Sequence, residues 1–217
     1  MKTVQLTKAG TIISASKVQI REMRSQFKQM HYLCFPEFLE TSLLKNIQRE
    51  IKRAQFRTKK HVASGVELGM KDNEAMRLLQ FILNEPQLFD FLEKVTGCKS
   101  INFFLGRIYL MRSDGSHYHD WHSDNKSSRL LGVSINLSSN IFEGGSLQLR
   151  DAKSNQVLQE VTNAGFGDLL IFRIAKELEH CVMPVTGKVP KIACAGWFQA
   201  EPHYATFLKQ FVAHAKA

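Results

Sequence analysis

The sequence predicts an α+β fold in which helices come first and flank a β-rich half closed as a barrel or jelly roll. Apolar residues recur at helical spacing up to about residue 99. Beyond it the texture changes to short apolar runs separated by Gly-containing turns. The third observation is bulk: 217 residues, 44% hydrophobic and 23% charged, suit one ordinary globular domain. A chain of this length hides roughly 70% of its unfolded surface without staples. We therefore read 1–217 as a single domain, with a mainly helical flanking part over about 1–99, a β core over about 100–200 and a C-terminal tail over 201–217.

The first residues, Met1 to Ser16, carry two lysines and one short apolar piece around Ile12 and Ile13. That lacks the apolar stretch of a secretory signal, and no run of 18 apolar residues follows, so the expectation is a cytoplasmic protein without a membrane span. Ile20, Met23, Phe27 and Met30, spaced 3, 4 and 3, predict a helix over about 17–30. His31 to Phe35 reads as a short strand stopped by Pro36. Thr41 or Ser42 can cap a second helix with Leu43, Leu44, Ile47, Ile51 and Ala54 on one face. A third helix starts near Asn73, with Met76, Leu79 and Ile82 inward. Pro86 opens a fourth and Gly97 closes it. Strand-like runs then cover 101–111, 130–137, 146–149, 169–172 and 192–198. Turn signals at Asp114-Gly115, Gly144-Gly145, Ala164-Gly165 and Gly167-Asp168 separate them.

The net charge of +9 is uneven. Residues 1–60 hold 13 basic and 4 acidic residues, and the remainder is balanced. The densest piece is Lys45 to Lys60. It reads either as a solvated face or as a surface for nucleic acid or an acidic protein; few aromatics interleave, which favours the first. Cys34, Cys98, Cys181 and Cys194 form no CxxC, so buried free thiols are expected rather than disulfides or structural zinc.

Chemistry concentrates in His117-Tyr-His-Asp-Trp-His-Ser-Asp-Asn125. His122 and Asp124 are two apart, which on a strand puts both side chains on one face. A third ligand can come from another strand, and downstream His180, His203 and His214 are available. Two histidines and one carboxylate on one face leave three metal positions open, as in non-haem iron sites. His117 and His119 could instead serve a cupin-type site, although no suitably placed Glu follows.

With these residues in order, the sequence resembles the 2-oxoglutarate- and Fe(II)-dependent dioxygenases, closest to their prolyl-hydroxylase-like branch, over about residues 100–200. His122-Ser-Asp124 follows Gly115 and Trp121. Ile135-Asn-Leu137 and Phe142-Glu-Gly-Gly-Ser-Leu147 look like the family's Leu-Asn strand and Gly-Gly turn. Gly167 to Phe172 resembles the strand leading to the distal histidine, His180-Cys-Val-Met-Pro-Val its His segment, and Lys191 to Phe198 its final strand.

The resemblance implies a double-stranded β-helix core with N-terminal flanking helices. It implies Fe(II) on His122, Asp124 and His180, with 2-oxoglutarate and O2 as cosubstrates and L-ascorbate as a candidate accessory. A hydroxylase of this kind oxidises a substrate C–H bond while 2-oxoglutarate is decarboxylated to succinate. A basic residue on the last strand neutralises the far carboxylate of 2-oxoglutarate, and Lys188 and Lys191 compete for that role. Lys191 shares strand parity with Trp197 and is preferred. Tyr109 and Asn136 are further candidate 2-oxoglutarate contacts. The substrate expected is an amino-acid side chain, free or peptidyl. Another small metabolite and a basic nucleic-acid-binding module are the alternatives, and the segments 57–72 and 73–99 are where substrate choice is expected to lie. Oligomeric state is open.

Overall fold

Parity along the strands decides which side chains meet the helices and which face each other across a cavity. The computed structural model describes residues 2–61, 65–71, 73–125 and 128–201. His203, His214 and the rest of the tail from residue 202 lie outside them, as does Asp72. In chain order the elements are β1 (Val4–Thr7), β2 (Gly10–Ile13), α1 (Lys17–Met30), β3 (Tyr32–Phe35), α2 (Thr41–Arg53), β4 (Phe56–His61), β5 (Gly65–Met70), α3 (Glu74–Ile82) and α4 (Pro86–Thr96). The strand-rich half follows with β6 (Phe103–Met111), β7 (Tyr118–His122), β8 (Arg129–Asn136), β9 (Glu143–Gly144), β10 (Leu147–Asp151), β11 (Val157–Val161), β12 (Leu169–Arg173), β13 (Leu178–Val182), β14 (Val185–Thr186) and β15 (Lys191–Gln199).

The helices start and stop where side-chain chemistry supplies caps. Ser16 and Gln19 form a reciprocal capping box on α1, and the Asn73 side chain accepts from the Met76 N–H at the start of α3. Pro86 occupies the first turn of α4, and Gly97 ends it at φ +71°. The cap expected of Thr41 or Ser42 is absent. Thr41 is already helical and Glu40 holds the cap position without a side-chain cap bond: its N–H donates to the Leu6 carbonyl of β1, and its carboxylate accepts from Ser42 Oγ at 2.8 Å. The hairpin β1–β2 carries no alternation long enough to stand out in the sequence.

The main sheet runs in the order β11-β10-β13-β7-β5-β6-β15-β8-β12-β3, with β4 added on β5. Every pairing in it is antiparallel. β5 is the corner: Leu68 and Gly69 pair with β6, while Gly65 and Val66 pair with β7. The curled sheet thus brings β7, β13, β10 and β11 over β6, β15, β8 and β12, which is the jelly-roll arrangement. The segment 57–72, expected as a loop, is largely the hairpin β4–β5.

One face of the β6-β15-β8-β12 layer packs on the helices. Phe104 and Ile108, Cys194 and Phe198, Leu131, Val133 and Ile135, and Leu169 and Ile171 join Phe27, Leu43, Ile47, Leu79, Phe91 and Leu92 in one apolar core. α3 and α4 therefore sit on the outer side of β6, and Asn84 Nδ2 holds the Phe104 carbonyl at 3.1 Å. Their place in substrate choice, expected from sequence, is not supported by this packing. No helix among the described residues is long and apolar enough to cross a bilayer.

Phe198 is fully buried, with its ring centroid 5.2 Å from Phe104 and 5.9 Å from Phe89. Phe198→Ala removes the contact that ties the last strand to the helices. Urea unfolding should show a loss of roughly 3–5 kcal/mol.

Candidate metal centre

β7 ends at His122, and its partner across the ladder on β13 is His180. As direct cross-strand partners the two imidazoles share a face, with ring centroids 4.2 Å apart, and the ladder shifts register only beyond them, between His180 and Val182. Asp124 lies two residues past the end of β7, in irregular chain. Strand alternation, the reason first given for its convergence with His122, is therefore not what brings it there. Two side chains do so instead: Arg129 Nη1 donates to Asp124 Oδ1 at 2.7 Å, and Trp197 Nε1 donates to Oδ2 at 2.7 Å. The Arg129 guanidinium also stacks on the Trp197 ring at 3.5 Å.

The outcome is a compact donor set. His180 Nε2 stands 3.5 Å and His122 Nε2 4.0 Å from Asp124 Oδ2, and one ligand atom from each of the three residues lies within 4.8 Å of the others. His122 Nδ1 sits 2.6 Å from the Asp120 carbonyl, so a proton there donates to that oxygen and leaves Nε2 its lone pair. Burial and the neighbouring His122 pull the His180 pKa down to about 3, so its imidazole is neutral at physiological pH. Neutral imidazoles and an ionised carboxylate are the forms that bind a divalent metal. His203 and His214 lie outside the described residues, so among those described only His180 completes the set.

The cavity beside this centre is lined by both layers of the jelly roll, from Tyr109 and Ser134 on one side to Leu147 and Val182 on the other. At its inner end is Lys191, 4% exposed, whose ammonium donates to the Gly145 carbonyl. No carboxylate pairs with it among the described residues, and burial lowers its pKa to about 8. An ammonium has three donors and one is used, so two remain for an anion in the cavity. Gly145, at φ +63°, keeps this space open. A Cβ there would stand 3.0 Å from Lys191 Cδ and 3.1 Å from Val185 Cγ2. Lys188 is exposed in the turn before β15.

Tyr109 is 2% exposed, lines the cavity, and its hydroxyl has no hydrogen bond to the described residues. Burial raises its pKa, so it remains a neutral donor. Asn136 requires a correction. It is fully buried, but its amide donates to the Ala164 and Gly165 carbonyls at 2.8 and 3.0 Å and accepts from the Ser138 N–H at 3.0 Å. It is absent from the cavity lining and latches the 164–168 loop to the end of β8. His117 Nδ1 accepts from the Arg112 N–H, which staples the turn between β6 and β7 and removes His117 from any cupin-type ligand set. Cys181 is buried, with Sγ 3.7 Å from Gln148 Oε1, and all four cysteines are free.

Sequence reasoning missed Asn163, which lines the cavity, and two groups that hold lining side chains from behind, Glu67 and Arg129. Glu67 on β5 is 0% exposed and bonded to Arg107 through Nε at 2.6 Å and Nη2 at 2.9 Å, and its carboxylate stands 3.0 Å from His119 Nε2 in a charge pair. Burial opposes its ionisation, but these two partners outweigh burial and hold its carboxyl well below the usual range. The missed signal was Gly65 to Met70, where apolar and polar residues interleave between two glycines. Arg129 and Asn163 belong to no motif and become visible only in three dimensions.

Residues 107–199 match the family model of the 2OG-Fe(II) oxygenase superfamily. Solved structures share the fold over most of the chain. A prolyl-4-hydroxylase from Pseudomonas putida superposes with TM-score 0.61 at 15% identity, covering 84% of this chain and 100% of its own. A 2OG-Fe(II) oxygenase family oxidoreductase from Burkholderia pseudomallei gives 0.64 at 13%, covering 91% and 96%. A Trichoplax adhaerens prolyl hydroxylase, in complex with a peptide fragment of the hypoxia inducible factor oxygen degradation domain, gives 0.59 at 16%, covering 86% and 94%. The search of curated proteins finds no match. Residues 107–199 are thus similar to the 2OG-Fe(II) oxygenase superfamily, and the chain as a whole shares the jelly-roll fold of these prolyl-hydroxylase-like structures.

Since Arg129 and Trp197 are the side chains that donate to Asp124 among the described residues, either Trp197→Phe or Arg129→Met should weaken Co(II) binding by about tenfold or more, titrated without 2-oxoglutarate. Thermal midpoints serve as the control for folding. Unchanged Co(II) affinity in both variants would mean that Asp124 is aimed by something else.

Proposed function

We propose that this protein is an Fe(II)- and 2-oxoglutarate-dependent oxygenase that hydroxylates an amino-acid side chain, peptidyl or free, with His122, Asp124 and His180 as the iron ligands and Lys191 and Tyr109 as the 2-oxoglutarate contacts. The observation that carries the reading is the pairing of two unsatisfied features in one cavity. A three-residue donor set lies on one wall, and a buried ammonium without a counter-ion lies at the inner end. A dicarboxylate that also chelates a metal satisfies both.

Bound iron supplies the oxidative chemistry that couples decarboxylation of 2-oxoglutarate to C–H hydroxylation. The chain does the rest. Trp197 and Arg129 hold Asp124 toward the two Nε2 atoms, and the Asp120 carbonyl holds the His122 tautomer. Lys191 neutralises the far carboxylate by a point-charge contact, and the Tyr109 hydroxyl is free to donate to the same ligand. Leu147, Leu170, Phe172 and Val182 keep that wall apolar and limit water. The peptide-bound Trichoplax relative supports an amino-acid or peptide substrate over another metabolite.

The decisive experiment is succinate release with Fe(II), O2 and 2-oxoglutarate, screened against proline, proline-containing peptides and candidate proteins. Asp124→Ala should abolish succinate formation with the thermal midpoint near that of the wild type. Near-normal turnover would overturn the ligand assignment.

Lys191→Ala should raise the 2-oxoglutarate requirement about 10- to 100-fold, because a charge-assisted bond worth roughly 1.5–3 kcal/mol is lost. Lys188→Ala, in solvent, should change it little. The Lys191 contact also has a pH signature. The ligand-free amine has a pKa of about 8, and 2-oxoglutarate binds its charged form. Affinity should hold below pH 8 and decline as pH rises through 8 to 9. A flat KM for 2-oxoglutarate from pH 7 to 9 would count against Lys191.

A further inference from the structure

We propose that Arg57 and Lys59 form a cationic lip on the cavity that docks an acidic, extended stretch of a polypeptide substrate beside the residue being hydroxylated. The inference deepens the hydroxylase reading and rests on it. Cross-strand partners in an antiparallel sheet share a face. Arg57 is opposite Gly69, Gly69 is opposite Tyr109, and Lys59 is opposite Glu67. Tyr109 and the two partners of Glu67, Arg107 and His119, line the cavity. Both cations therefore stand on the cavity side of the sheet, two strands out from Tyr109, or roughly 10 Å at a strand spacing near 4.8 Å. Thr58 and Lys60 face the opposite way.

The lip is anchored. Glu67, fully buried, bonds Arg107 and pairs with His119 and so fixes the hairpin β4–β5 to the cavity wall. The Lys59 stem lies over the side-chain-free Gly69, where a Cβ would meet its Cδ at 3.6 Å. Arg57 and Lys59 are exposed, and neither has an ion pair among the described residues. They leave a surplus of positive charge beside the cavity.

Three features point to a peptide as the occupant. Among the described residues β4 pairs only with β5, so its outer edge offers backbone groups to an added strand. Arg57 and Lys59 are two residues apart, about 6.6 Å, which matches acidic side chains at alternate positions of an extended chain. Such a chain advances about 3.3 Å per residue, so roughly three residues bridge the lip and the cavity. Positions 57–60 carry no aromatic ring on which a nucleic-acid base could stack. Basic residues on an edge strand also discourage edge-to-edge association, but Lys60 on the other face serves that purpose equally well. That difference between faces is the handle for the test.

The test uses the whole chain with 2-oxoglutarate and Mn(II) in place of Fe(II), so that peptides bind without turnover. Two labelled peptides share a central proline and carry either Asp or Ser at the third and fifth residues on both sides. Fluorescence anisotropy should show the Asp peptide binding about tenfold tighter, with the advantage shrinking as salt rises. The preference should vanish in the Arg57→Glu/Lys59→Glu double variant and in its milder Arg57→Gln/Lys59→Gln form, and persist in Lys60→Glu. Equal affinity for the two peptides, or the same loss in Lys60→Glu, overturns the proposal. So does a single-stranded oligonucleotide that outcompetes the Asp peptide at physiological salt. Succinate release by the unaltered chain with Fe(II) separates the two readings. Peptide preference without succinate sinks the hydroxylase reading, and succinate without peptide preference sinks the lip.

Discussion

The two-sided character of β15 is the constraint on which the other features depend. It is the shared neighbour of β6 and β8 along its length, so its parity is locked from both edges. Cys194 and Phe198 face the apolar core under the helices, while Lys191, Ala195 and Trp197 face the cavity. Slipping β15 by one residue would send an ammonium into the helix-packed core and a phenylalanine into the cavity. The buried apolar half of the strand thus holds the polar half in place, and the core beneath the helices fixes the site geometry without touching it.

Charge in the cavity is arranged by distance from water. Glu67 is buried but doubly partnered, so its charge is compensated on the spot. Asp124 is half-buried and shared between a cation and an indole N–H. Lys191 alone is buried with only a carbonyl for company. A buried ammonium is tolerated at a cost to folding only where something else gains from it. In this fold, the group that gains is whichever anion enters the cavity.

Much of this was legible in the sequence because the signals were local. The helices declared themselves by 3-4 spacing and by Asn73, Pro86 and Gly97 at their ends, and β3, β8, β12 and β15 by apolar runs between turn residues. His122, His180 and Lys191 stood out through ordered motifs. What escaped was non-local. The hairpin β4–β5 looked like a charged loop because its basic residues line an edge strand rather than a core. Strand alternation wrongly explained the place of Asp124, since the strand stops at His122 and the side chains that hold it are Arg129 and a tryptophan 73 residues away. Asn136 was a buried asparagine near a plausible pocket, but its donors were already claimed by a turn whose carbonyls no pattern announces.

The hairpin β4–β5 precedes the segment that matches the oxygenase superfamily, and it joins the cavity through few connections: two short ladders and the bonds of one buried acid. The metal donors and the inner lysine lie outside this hairpin, on β7, β13 and β15 and in the irregular chain after β7. An architecture of this kind separates inheritance from invention. Insertions, deletions or charge changes in the hairpin can redraw the rim of the cavity while the residues of the candidate metal centre keep their places. Among relatives with this fold, the hairpin is therefore where lineages would be expected to differ most, and Glu67 marks the hinge at which one half could be exchanged for another.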